Sequence, residues 1–68
     1  MIKVKLLPDM KELIFRTDTI KVEELLRKLD VIDLESITIL VNNKLVEDLN
    51  HEIKRGDKVI LIRQATGG

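Results

Sequence analysis

Sixty-eight residues make one small domain, burying only about 60% of the surface exposed by the unfolded chain, with 26 Ile, Leu and Val, one Phe and no Trp or Tyr. So small an interior cannot be hollowed into a substrate cleft, and the chain is not expected to be an enzyme. Twelve basic residues balance twelve acidic ones, which removes the electrostatic footprint of a direct nucleic-acid binder.

Ile2, Val4 and Leu6 alternate with Lys3 and Lys5, the period-2 pattern of a strand with one face buried. Pro8-Asp9-Met10-Lys11 reads as a turn, because proline stops ladder pairing. Leu13-Ile14-Phe15-Arg16 follows as a second strand, and so short a connection predicts an antiparallel hairpin.

At Val22 the period changes. Val22, Leu25, Leu26 and Leu29 fall at i, i+3, i+4 and i+7, one helical stripe. Glu23 with Arg27 and Glu24 with Lys28 are i,i+4 pairs in the favourable order, and both glutamates suit the first turn of the helix dipole. Asp18 and Thr19 are the nearest side chains able to cap this helix.

Ile37, Ile39 and Val41 alternate again, and Asn42-Asn43 marks a tight turn, asparagine being the best non-glycine residue for left-handed backbone. Leu45-Val46 has room only for a small edge strand. Arg55-Gly56-Asp57 is a further turn, and Lys58–Arg63 is a strand apolar at four consecutive positions, Val59-Ile60-Leu61-Ile62. Such a run predicts a central strand, with both faces covered or with one covered and one sticky. After Arg63 the pattern ends.

One helix across one face of a mixed sheet buries these stripes economically, with the first and last strands side by side and parallel. The expected fold class is therefore α+β: a mixed sheet of four to five strands with one helix packed across one face. The expected organisation is a domain over residues 1–63 and a tail over residues 64–68. If Val59 and Leu61 face the helix, alternation sends Ile60 and Ile62 to the other side, and Leu40 with them. These three form a candidate partner-binding patch, since an exposed apolar cluster marks an interaction surface. Arg63, at the root of the tail, is a candidate partner for carboxylates.

Val22-Glu23-Glu24-Leu25-Leu26, Val41-Asn42-Asn43-Lys44-Leu45-Val46, Gly56-Asp57-Lys58-Val59 and the final Gly67-Gly68, in this order along nearly the whole chain, resemble the β-grasp (ubiquitin-like) fold. Within it they are similar to the ThiS/MoaD sulfur-carrier and archaeal small-modifier group. Two positions depart from the group's habit: Val-Asn-Gly is Val41-Asn42-Asn43 here, and Lys21 stands where a capping Thr is common.

The resemblance implies a carrier that works through its own α-carboxylate. An adenylating enzyme of the ubiquitin-activating type converts the Gly68 carboxylate to an acyl-adenylate. A sulfur donor then makes a thiocarboxylate, and a recipient synthase uses the sulfur for thiamine thiazole, molybdopterin or tRNA thiolation. The alternatives are a modifier conjugated through Gly68 to lysines of target proteins, and a β-grasp interaction module with an inert terminus. Gly67 and Gly68 suit a narrow active-site channel, because glycine lets backbone approach backbone closely. With no cysteine in the chain, sulfur has no other evident attachment point. No cofactor is expected on this chain: it has no glycine-rich phosphate loop, so ATP and its metal belong to the partner.

His51 lacks companions for a triad or metal site and reads as a loop residue. Glu47, Asp48 and Glu52 lack calcium-loop spacing and read as a solvated face; Lys54, Arg55 and Lys58 form a small basic cluster offset by Asp57. With neither an apolar stretch of roughly 18 residues nor a secretory signal pattern at Met1-Ile2-Lys3, the expected location is cytoplasmic, with no membrane partner.

Overall fold

The computed structural model describes residues 1–29 and 36–64. Strands β1 (Ile2–Leu7) and β2 (Lys11–Phe15) form the expected antiparallel hairpin, with Val4 opposite Leu13. Strand β3 (Thr19–Lys21) leads into helix α1 (Val22–Lys28). Strands β4 (Ile37–Val41), β5 (Lys44–Leu45), β6 (Glu52–Lys54) and β7 (Val59–Arg63) complete the described elements. The main sheet has the order β2-β1-β7-β4-β5, while β3 and β6 form a separate antiparallel ribbon.

The register shows why β7 is apolar throughout. It is the middle strand, parallel to β1 and antiparallel to β4. Val4, Val59 and Val41 form one cross-strand row and Leu6, Leu61 and Ile39 the next, and all six are buried. Val22, Leu25 and Leu26 of α1 join the same core. Ile20 and Ile53, opposite each other in the ribbon, complete it. The fold is thus a mixed five-stranded sheet with one helix across one face.

Two expectations need correction. First, the sequence pattern contains no sign of the β3–β6 ribbon, because three-residue strands with a single apolar residue each are too short to show a period. Second, neither Asp18 nor Thr19 caps α1. The cap position is Lys21, with no side-chain cap bond. Instead Val22 N donates to His51 O and Glu23 N to Leu49 O, both at 3.0 Å, so backbone carbonyls from the loop before β6 satisfy the orphan donors of the first turn. The backbone N of Arg55 takes the Asp18 carbonyl, at 2.8 Å, and the Asp18 side chain reaches only a loose, solvent-exposed pairing with Arg55 at 3.8 Å. Of the two i,i+4 pairs on the helix, Glu23–Arg27 forms, at 2.7 Å.

Asn42 and Asn43 adopt φ of 54° and 68°, so both central residues of the β4–β5 turn are left-handed, as a two-residue hairpin requires. Gly56 has φ +93°, and a Cβ on this residue would meet nothing within 4 Å; dihedral freedom, not space, calls for glycine there.

The two turns are locked together. The side chain of Asn42 donates to Asp57 Oδ1 at 3.1 Å and accepts from Lys58 N at 3.0 Å. Asp57 Oδ2 accepts from Lys54 N at 2.8 Å. The Lys54 amide, with Asn42 next, holds the Asp57 carboxyl below its ordinary pKa of 3.8. The unfolded chain takes up the proton first as pH falls. The stabilisation is therefore complete above the ordinary value and is lost as pH falls through the depressed one. Asp57→Ala is expected to cost about 1 kcal/mol at neutral pH and to flatten this part of the acid limb; thermal melts from pH 7 to pH 3 check both.

Candidate docking face and the C-terminal exit

The helix and ribbon cover one side of the sheet, and the other side carries no element of the described chain. The pleat displays two rows there. Glu12, Lys5, Ile60, Leu40 and Leu45 lie across the strands in one. Leu7, Ile62 and Thr38 lie across them in the next. Leu7, Leu40, Ile60 and Ile62 are half-buried by one another and by their neighbours, while Leu45 is 59% exposed and Ile14, on β2, 52%. An apolar cluster of this kind, open on an otherwise charged surface, has the composition of a contact site.

The structure therefore places Leu40, Ile60 and Ile62 together on the open face. Arg63 does not join them: it lies opposite Ile37, at the parity of the helix side, and is exposed at the end of β7. Leu7 and Leu45 do join, and pattern reading overlooked both. Leu7 follows Leu6 on β1, so the alternation that buries Leu6 turns Leu7 to the open face. Leu45 follows from the turn, since a two-residue loop pairs Val41 with Lys44 and hence Leu40 with Leu45.

The chain leaves the sheet beside this patch. Beyond Arg63, the Gln64 backbone N donates to Ser36 O at 2.8 Å, which pins the last described residue against the start of β4. Gly67 and Gly68 lie outside the described residues. Four residues beyond Gln64 span at most about 14 Å.

Elsewhere the structure offers little chemistry. His51 is half-buried and contributes its carbonyl to the helix start. Glu47, Asp48 and Glu52 border an open depression of about 560 Å³ together with Lys44 and Lys54. Among the described residues no group of three or more His, Asp or Glu could hold a metal ion. No described helix is long and apolar enough to cross a membrane.

A mixed sheet whose first and last strands pair in parallel at its centre, crossed on one face by an α-helix, defines the β-grasp class of small ubiquitin-like domains. The sequence profile of the ThiS family matches residues 3–68, and the chain belongs to that family of ThiS/MoaD-type sulfur carriers. No curated protein matches the chain by sequence. Among solved structures it is similar to the crystal structure of a thiamine biosynthesis protein (ThiS) from Geobacter metallireducens. The identity is 24% and the TM-score 0.67, over 98% of this chain and 100% of that one, a likeness that bears on the fold.

Proposed function

We propose that this protein carries sulfur as a thiocarboxylate on Gly68 for the biosynthesis of thiamine. The observation that carries this reading is the family match, which runs through the final Gly67-Gly68. In the first step a carboxylate oxygen of Gly68 attacks the α-phosphorus of ATP and pyrophosphate leaves, giving an acyl-adenylate. In the second, sulfide released by the donor attacks the activated carbonyl, the bond to AMP breaks and AMP leaves, and loss of a proton gives the thiocarboxylate. The thiocarboxylate sulfur then bonds to the substrate held by the recipient synthase, and water cleaves the acyl–sulfur bond to return the Gly68 carboxylate. The chain supplies the acyl group and the surface that presents it. ATP, its metal ion and the sulfur donor are held by partners.

Leu7, Leu40, Ile60 and Ile62 form the surface on which the adenylating enzyme seats the domain, with the tail running from Gln64 into its active site. Arg63 stands at the base of that tail, free to meet carboxylates lining the channel. Glycine at the last two positions passes a constriction that a side chain would block.

Intact mass of the protein from its native cells, before and after thiol alkylation, tests this reading. The expected result is a fraction heavier by one oxygen-to-sulfur exchange, localised to Gly68 by fragmentation and shifted by alkylation. Conjugates to other proteins that vanish on deleting Gly68, without any thiocarboxylate, would point to a modifier instead. An unmodified mass with no activation by an ATP-dependent enzyme would leave only an interaction module.

A further inference from the structure

We propose that the lysine end of the open sheet face, formed by Lys3, Lys5 and Lys58, is a docking site for carboxylates of the adenylating partner. This rests on the reading of the neighbouring apolar patch as the activation surface, and it adds the feature that orients the partner there.

The face is polar along the direction of β7. Leu7 and Ile62 occupy the end nearest the chain's exit, and Ile60 the middle. At the far end Lys3, Lys5 and Lys58 surround a shallow depression of about 280 Å³ with Val59 and Ile60 among its lining residues. From Ile62 back to Lys58 is four residues, about 13 Å along the strand. Two carboxylates approach this depression. Glu12 lies opposite Lys5 without pairing with it, and Asp57 is already engaged by Lys54 and Asn42. The ion pairs of the described residues are Glu23–Arg27 and Asp18–Arg55, so none of the three ammonium groups is held in an ion pair beside this apolar surface.

An apolar patch attracts without direction, and a partner could seat on it in more than one rotation. The tail must nevertheless enter one channel. A cationic pole at one end breaks that degeneracy, because only a partner that places carboxylates over Lys3, Lys5 and Lys58 compensates their charge while covering Ile60 and Ile62. A partner without them would strip water from unpaired ammonium groups. In a two-fold contact through this same face, a second copy of this chain would set lysines against lysines or against the apolar patch, with Glu12 as the unengaged carboxylate beside them.

The test is ATP–pyrophosphate exchange by the adenylating enzyme of the same cells, titrated with the full chain at low and high salt. For the double variant K3E/K5E, KM is expected to rise about tenfold at low salt, with kcat within about twofold of the unaltered protein, as for loss of electrostatic complementarity. The KM of the unaltered protein should rise with salt, and that of K3E/K5E should not. K21E/K28E makes the same change in net charge on the helix side and is expected to keep the unaltered KM. Unaltered KM and salt dependence in K3E/K5E, with the parent chain still activated, would overturn this inference alone. A parent chain that is not activated at all would instead overturn the reading beneath it. A lysine-dependent dimer in sedimentation, or lysine-dependent retention of an oligonucleotide, would overturn it by assigning the lysines elsewhere.

Discussion

Ile60→Asp is expected to leave the protein folded while lowering kcat/KM for adenylation about 30-fold or more, the scale of an interface hot spot. Leu61→Asp, one residue along, is expected to unfold it. Leu61 has 0% exposure and sits between Leu6 and Ile39. No polar side chain of the described residues is buried there to receive a carboxylate. Placing one in that row costs on the order of 5 kcal/mol or more, as much as the whole core of so small a domain supplies, about 3–5 kcal/mol. Ile60 is half-buried on the open side, directly opposite Lys5. An aspartate there loses strand propensity worth up to about 1 kcal/mol and regains part of it from the cross-strand ammonium, roughly 0.2–1 kcal/mol. Circular dichroism melts and pyrophosphate exchange on both variants decide the matter. Unfolding of Ile60→Asp would make the open face part of the core; normal activation of a folded Ile60→Asp would remove it from the activation surface.

Deleting Gly68 is expected to abolish adenylation without changing the melting midpoint. The reacting carboxylate then retreats by up to about 3.5 Å, and a misplacement of only about 1 Å already costs on the order of a hundredfold in rate. Stability should be indifferent, since the last backbone bond of the described chain, from Gln64 to Ser36 at 2.8 Å, lies upstream. Gly67→Val separates reach from girth: the carboxylate keeps its distance from the sheet, and only the added side chain obstructs the channel. Activation of the shortened chain at the unaltered rate would place the acyl chemistry somewhere other than Gly68.

Much of the fold is legible in local pattern. Ile2, Val4 and Leu6 announce a half-buried strand, and the stripe Val22, Leu25, Leu26 and Leu29 a helix. Asn42-Asn43 announces the turn at which both residues are left-handed. The unbroken run Val59–Ile62 announces the central strand, and its parity already sorts Ile60 and Ile62 from Val59 and Leu61. The structure extends the open face by Leu7, Leu45 and Ile14, and it shows Arg63 on the other side of the sheet, opposite Ile37.

What escaped the pattern was non-local. The β3–β6 ribbon joins Ile20 to Ile53 across more than thirty residues of chain, and neither segment is long enough to reveal a period. The helix start is satisfied by the carbonyls of Leu49 and His51, which no neighbouring side chain foretold. Likewise the lock between Asn42 and Asp57 requires two turns to meet.

By itself, then, the sequence determined which residues alternate, which form a stripe, where the turns fall and which faces are apolar, because each is set by backbone geometry within a few residues. Only the tertiary structure decided that β3 and β6 pair, what caps the helix and which lysines border the apolar patch. Those depend on contacts closed across long stretches of chain, where the hydrophobic drive to bury a face is strong but carries no direction of its own.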